Sequence, residues 1–591
     1  PTARPARRAQ RHRRAAAAPR PRAPSSGAML WASLGLVATC TASFKGLGSQ
    51  GFWVFPWFSI TVVAVLWTLW WQSLLFLLVS LLNVGLWHHC YRTNPEHWGW
   101  VCVGWHHDTA KAIAATSKLV HRKLGLAWFP HARAAAPVPS APAPAAGEVV
   151  VVRTAKWTGE RLSVAETLKL EEGQPHKGEI TVILDPSVQH QALLGFGTAL
   201  TEASARVCGA LGSAGRERLV DAYFCKRTGL GFNIGRLHMN ACDFSDGNWS
   251  CCEQEGDMEL SSFSIARYEE TILPLVRRAA QASGAPLTLL ASPWSPPKWM
   301  KENEAMCHPD AGSPHKDKPG KLKKSCRAAW AKHYVRFAEA LRDAGLPLWG
   351  FTVQNEPDNP AAWEHCLYSP TEERDFIRDH LGPAIEASGL DLKLVGWDHN
   401  RDDLFLRAHT IYSDPEAARY VWGMGWHWYG DPRYEFWADR AGQVCFDNVR
   451  AVHELRPDKH LLVTETCQEF GPHLGDWSTA ERYAEGIIRD FNNFAEAWID
   501  WNMVLDQEGG PNHKGNKCAA PIIADTDRDQ VIFQPSYYAF GQFSRHLQPD
   551  ARRILCAANR DCLETTAFAN PDGTIALVVL NQTRFTRGFC I

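Results

Sequence analysis

From about residue 190 the chain alternates between two hydrophobic patterns. Short apolar runs recur at Ala192–Phe196, Phe232–Met239, Pro286–Pro293, Leu346–Val353, Leu392–Trp397, Tyr420–Trp428, Lys459–Thr464 and Ala497–Val504. Between them lie stretches with apolar residues at helical spacing, such as Ile265–Ala282, Ala328–Ala344, Thr371–Ser388 and Thr479–Ala495. The runs read as strands and the intervening stretches as helices. Strands alternating with helices pair in parallel through crossovers, and eight such units predict a (β/α)8 barrel over residues 189–544. An open doubly wound sheet is the alternative, but no GxGxxG follows any of the runs. Strand-like pieces flank the barrel at Val149–Val152 and Ile180–Leu184 on one side and Glu564–Phe568 and Thr574–Leu580 on the other. With turns such as Asn570-Pro-Asp-Gly573, they predict an accessory antiparallel β-sandwich built from both flanks, residues 148–188 and 545–591.

The first part of the chain has another pattern. No Asp, Glu, Lys or Arg occurs from Gly46 to Tyr91, and Phe58–Trp87 is almost entirely apolar. About twenty such residues cross a bilayer, so 58–87 is expected to be a transmembrane span within a membrane-associated region, 29–131. Trp57, Trp87, Trp98 and Trp100 suit the interface. A second, shorter apolar stretch, Leu30–Phe44, leaves one or two spans open. One span places the catalytic part on the lumenal or extracellular side of an endomembrane or lysosome-like compartment, and two return it to the cytosol. Residues 132–147 are a Pro/Ala linker. Residues 1–28 carry eight Arg and no acid, begin with Pro1, and precede the first methionine, Met29. They read as a disordered basic segment or a stretch upstream of the native start, with a targeting segment as the rival.

Composition narrows the rest. A net charge of −1 over 591 residues gives no reason to expect a nucleic-acid partner. The cysteine count of 17 is odd, and Cys307 and Cys326 bracket a Lys/Pro/Gly-rich insertion that a disulfide between them would close. Two sequons, at Asn248 and Asn581, favour a lumenal location only weakly. No metal-ligand spacing stands out, and no metal or cofactor is expected.

Candidate chemistry sits at the ends of the strands, where barrel enzymes carry it. The run Leu348–Val353 ends in Gln354-Asn355-Glu356-Pro357, an apolar strand that delivers an amide and a carboxylate at its tip. The seventh run ends in Glu465. The others offer Arg236 and Asp243 after strand two, Trp294 after strand three, His427 and Tyr429 after strand six, and Asp500, Trp501 and Asn502 on strand eight. Two carboxylates facing one aromatic pocket are the equipment of glycoside hydrolysis, in which one protonates the leaving oxygen and the other attacks the anomeric carbon.

The segments GFGTALTEASA, NIGRLHMNACDFS, LLASPWSPPKWMK, FTVQNEP, RDFIRDHLGP, GWHWYGD, VTETC, WIDWNMVLDQEGGPNHKGNKCAAPIIAD and QPSYYAFGQFSRHL follow one another in order. Over about Gln191–Asp550 the chain resembles the glucosylceramidase-type glycoside hydrolases of family 30, which are retaining β-glycosidases built on a barrel with a β-sandwich at its side. The resemblance implies that Glu356 is the general acid/base and Glu465 the nucleophile. It implies that Asn355 binds the sugar 2-hydroxyl, that Asp243, Trp294 and Trp501 bind other parts of the sugar, and that Asn516 lies at the rim. His427 and Tyr429 would line the pocket near the nucleophile, with Arg236 beside it. An ionised nucleophile needs donors such as Arg236 and Tyr429, and a general acid needs a raised pKa at Glu356.

The substrate implied is glucosylceramide or a related glycolipid at a membrane. A family-30 β-xylosidase, β-fucosidase or β-1,6-glucanase is the alternative, and a non-catalytic sugar-binding membrane protein the distant one. The chain departs from the family in its N-terminal region, in the insertion between Cys307 and Cys326, and in ending at ALVVLNQTRFTRGFCI, where the family continues into further sandwich strands.

Overall fold

A computed structural model describes residues 141–175, 177–434 and 444–591. The span expected at 58–87, and the whole membrane-associated region, lie outside the described residues. Among those described, no helix is long and apolar enough to cross a membrane.

In chain order the first seven strands are β1 (Glu148–Arg153), β2 (Ser163–Lys169), β3 (Val182–Ala192), β4 (Gly195–Ala199), β5 (Ile234–Met239), β6 (Thr288–Pro293) and β7 (Gly350–Thr352). Next come β8 (Lys393–Asn400), β9 (Val421–His427), β10 (His460–Glu465) and β11 (Ala497–Asn502). Strands β4 to β11 pair in parallel and close into a barrel of eight, with β11 returning to β4. Strands β12 (Val504–Asp506), β13 (Ile522–Asp525) and β14 (Gln530–Phe533) form a small sheet that strand patterning had not predicted. Strands β15 (Arg552–Ala558), β16 (Leu563–Ala569) and β17 (Ile575–Asn581) form a four-stranded antiparallel sheet with β3, joining both flanks of the barrel. The hairpin β1–β2 is a separate two-stranded sheet. Leu162, at its turn, is buried against the helix Pro535–Ser544.

Outside the barrel, β3 runs on to Ala192 rather than ending at Leu184, and β2 and β15 were not expected; inside it, β7 is shorter than the run Leu346–Val353 and two strands extend beyond their expected ends. The first barrel strand was placed at Ala192–Phe196 and lies instead at Gly195–Ala199. Its sequence, Gly-Phe-Gly-Thr-Ala, reads as a turn, yet the glycines are there for packing. A Cβ on Gly197 would stand 2.6 Å from the Ile234 carbonyl of the neighbouring strand. The fifth strand runs past Trp397 to Asn400, so its tip carries Asp398 and His399.

Helices cover the barrel where the apolar spacing put them. Arg327–Asp343 buries Trp330, Tyr334, Phe337 and Leu341 on one face. Tyr334 also donates from its hydroxyl to the Val353 carbonyl at 2.6 Å, which ties the helix to the segment that ends in Glu356. The helix from Pro370 begins with a capping box between Ser369 and Glu372, which satisfies two otherwise orphaned backbone donors.

The position of β7 depends on a glycine. A Cβ on Gly350 would sit 2.3 Å from the Lys393 carbonyl of β8. Gly350→Ala must therefore spread the two strands, at a cost of about 1–3 kcal/mol. Thermal melts should show a lower transition for this variant, and an unchanged one would contradict the packing described.

The Cys307–Cys326 bridge does not form. The described cysteines are free thiols. Cys307 instead accepts from Lys514 Nζ at 3.2 Å, and Cys326 lies beside Ser325. The insertion is closed at its base by backbone pairing of Lys301 with Leu322, so it needs no cross-link.

Candidate active site

At the C-terminal mouth of the barrel, the tips of β7 and β10 bring Glu356 and Glu465 to one imidazole. Nδ1 of His427, at the end of β9, stands 3.4 Å from Oε1 of Glu356 and 3.9 Å from Oε1 of Glu465. The two oxygens are thus no further apart than those distances laid end to end. That bound includes the separation of about 5–5.5 Å used by retaining glycosidases and reaches only the lower part of the range of about 6.5–9.5 Å used by inverting ones.

The backbone explains how β7 aims its carboxylate. The Asn355 N–H donates to the Pro293 carbonyl at 2.9 Å and the Glu356 N–H to the Asp398 carbonyl at 3.0 Å. The tip of β7 is therefore held between the tips of β6 and β8. Glu356 has φ +48°, in the left-handed region that a residue with a Cβ rarely adopts. Such strain persists only where the surroundings impose it, and it collects at functional sites.

Glu465 has two donors. Arg236 Nη1 lies 2.5 Å from its Oε2, and the Tyr429 hydroxyl donates to Oε1 at 2.9 Å. Arg236 is fully buried and also reaches Asn355 Oδ1 at 2.8 Å, Ser292 Oγ at 3.0 Å and Asp398 Oδ2 at 3.0 Å. Trp294 and Trp501 stack on one another with centroids 5.0 Å apart, and the guanidinium lies 4.9 Å and 5.4 Å from the two rings. These tryptophans are 2% and 4% exposed, so they form an aromatic floor packed on the cation and expose little of their faces. Asp243 accepts from Asn516 at 2.9 Å and from Asn512 at 3.0 Å. Burial pushes its carboxyl up to about 7.

One central residue was missed from sequence. Asp398 accepts from Thr352 and Thr464 hydroxyls at 2.6 Å, from His427 Nε2 at 3.0 Å, and from Arg236. Burial opposes its charge, but Arg236 and His427 outweigh that and hold it well below the usual carboxylate range. It links the supports of both glutamates. The polar run Asp398-His399-Asn400 directly after an apolar strand was the available signal, of the same kind as Gln354-Asn355-Glu356.

The electrostatics correct one expectation. Glu356 does not have a raised pKa in this resting arrangement. Burial pushes it up, but the imidazoles of His399 and His427 outweigh burial and hold it below the usual carboxylate range. His427 shows the converse. Burial lowers it, while Glu465, Asp398 and Glu356 together raise it to about 9.

This has a consequence for stability. The folded protein keeps the His427 proton up to about 9, whereas an unfolded chain releases it near 6.5. The contribution, on the order of 3 kcal/mol, is complete below about pH 6.5 and lost as pH rises through 9. His427→Gln should flatten the fall in melting temperature between those limits. An equally steep fall in the variant would show that another group is responsible.

Comparisons with known proteins agree with the architecture. A family model described as the glycosyl hydrolase family 30 TIM-barrel domain matches residues 193–547, and one described as the family 30 β-sandwich domain matches 550–591. Putative glucosylceramidase 4 of Caenorhabditis elegans is 33% identical over 450 residues, covering 74% of this chain and 82% of that protein. Lysosomal acid glucosylceramidase of Mus musculus is 34% identical over 414 residues, covering 68% of this chain and 77% of that protein. A solved endo-β1,6-glucanase is 27% identical with a TM-score of 0.59, covering 68% of this chain and 87% of that one.

Proposed function

Since the chain belongs to glycosyl hydrolase family 30 and is a glycoside hydrolase, we propose that it cleaves the β-glucosidic bond of glucosylceramide or a related glycolipid with retention, by double displacement. In this reading Glu465 attacks the anomeric carbon and Glu356 protonates the leaving oxygen. Glu356 then takes a proton from the water that releases the sugar. The observation that carries the reading is the shared imidazole. His427 lies between the two carboxyls, while of the two only Glu465 accepts from Arg236 and Tyr429.

That asymmetry supports the division of roles. Two donors on one carboxylate stabilise its anion, which suits a nucleophile. Glu356 accepts from Asn359 and faces two imidazoles, groups of a kind that can hold and pass on a proton. Forming the glycosyl ester removes the charge of Glu465, so His427 has less reason to stay protonated. Asn355, fixed by Arg236 at its amide oxygen, suits binding of the sugar 2-hydroxyl. Asp243 with Asn516 suits the other hydroxyls.

The glucosylceramidase names of two relatives support the lipid substrate, and an apolar segment at 58–87 would keep the enzyme where such a lipid resides, on the lumenal or extracellular face. The similarity to an endo-β1,6-glucanase supports the second reading, a β-1,6-glucan. The test is turnover by the full chain in detergent micelles of glucosylceramide, a fluorogenic β-glucoside, its β-xyloside and β-fucoside analogues, and a β-1,6-linked oligoglucoside. Preference for glucosylceramide and the β-glucoside supports the proposal. Preference for the oligoglucoside or another sugar refutes the substrate while leaving the family intact.

A further inference from the structure

Glu356 has a second imidazole beside it, and that one has its own carboxylate. His399, near the end of β8, is almost fully buried. Its Nε2 lies 3.6 Å from Glu356 Oε1, the same oxygen that His427 approaches at 3.4 Å. Its Nδ1 is in close contact with Oδ1 of Asp358, two residues after Glu356. The other oxygen of Glu356 accepts from Asn359 Nδ2 at 2.8 Å. Oε1 therefore faces two imidazoles, each with an aspartate behind it, His427 hydrogen-bonded to Asp398 and His399 in close contact with Asp358. The two rings are 6.0 Å apart and nearly perpendicular, so they approach the oxygen from different sides.

We propose that Asp358 and His399 form a proton-holding dyad behind Glu356, which keeps on Nε2 the proton that Glu356 gives to the leaving oxygen and takes back from water. The inference rests on the assignment of Glu356 as acid/base. In the first half-reaction the Nε2–H bond breaks and an O–H bond forms on Glu356. Imidazolium becomes imidazole and carboxylate becomes acid. The acid then protonates the glycosidic oxygen as its bond to the anomeric carbon breaks and the Glu465 carboxylate bonds to that carbon. In the second, water attacks, Glu465 leaves, and the water proton passes through Glu356 to Nε2. One water is consumed and the protons balance.

His427 is shared between Glu356 and Glu465, so it is not dedicated to either carboxylate. His399 faces only Glu356 and Asp358 among these carboxylates. The charges around the pair are Asp398 and Arg236 beneath His427, Glu465 beyond it, and Glu373, itself paired with Arg407, on the side of Asp358. His399 is a positioning residue, since it acts through Glu356.

The test is a leaving-group series of aryl β-glucosides with the full chain and the variants His399→Asn, His399→Gln and Asp358→Asn. General acid catalysis contributes about 10²–10⁴-fold. For the poorest leaving groups kcat/KM should fall by at least about 10-fold, and for a dinitrophenyl glucoside by less than about threefold. Where the second step limits kcat, the acid limb of its pH profile should move upward, because Glu356 loses a neighbouring cation. A similar loss across the series with an unmoved acid limb in the variants that fold would overturn the proposal. Glu356→Ala in the same series separates the two ideas. No leaving-group dependence there refutes the assignment of Glu356. Dependence there but none in the His399 and Asp358 variants refutes the dyad alone.

Discussion

Replacing Glu465 with alanine is expected to abolish hydrolysis of every glycoside the protein accepts, by about four orders of magnitude or more, a loss of at least about 5 kcal/mol of barrier lowering. Without the carboxylate no glycosyl-enzyme forms. The vacated space lies beside Arg236 Nη1 and the Tyr429 hydroxyl, both of which hydrogen-bond to Glu465, and is suited to a small anion. Added azide or formate should therefore restore part of the turnover by attacking directly. A single displacement inverts the centre, so the azide product should be the α-glycosyl azide. Chromatography of the product against both anomers checks this, and a β-azide would mean that the roles of the two glutamates are exchanged.

Glu356→Ala is expected to behave differently, with a loss that depends on the substrate. A dinitrophenyl β-glucoside leaves without protonation, so its first step should survive. A substrate with a poor leaving group should lose about 10²–10⁴-fold. With the activated substrate the second step lacks a base, so glycosyl-enzyme should accumulate and give a burst of the phenol. Azide needs no base and should restore turnover with a β-linked product. Stopped-flow release of the phenol and identification of the azide anomer check both parts. Equal, modest losses in the two alanine variants would place the catalytic pair elsewhere.

The sequence carried the barrel because strand and helix periods differ, and eight repetitions leave little ambiguity. It misplaced one strand where the rule that glycines punctuate turns failed. Gly197 is small because β5 lies against it, a reason visible only in three dimensions. That Glu356 and Glu465 meet at one mouth was legible because each ends an apolar strand of the same parallel barrel. Asp398 was not legible, because the apolar run was ended at Trp397 and the polar tip beyond it was left outside the strand. The direction in which the site shifts Glu356 was not legible for a related reason. Burial alone raises a carboxyl, but His399 and His427 come from two other strands, and no local pattern announces that they meet at one oxygen. Cys307 and Cys326 are free thiols, and the insertion they were expected to close is instead closed at its base by a backbone bridge.

The central claim is that Glu465 becomes covalently attached to the sugar. The most direct measurement is to incubate the full chain with 2-deoxy-2-fluoro-β-glucosyl fluoride, whose first step is fast and second step slow, and to map the labelled peptide by mass spectrometry. The account predicts a single fluoroglucosyl adduct on Glu465. A label on Glu356 or another carboxylate, or no label from a preparation that releases the α-anomer from β-glucosides, would contradict it.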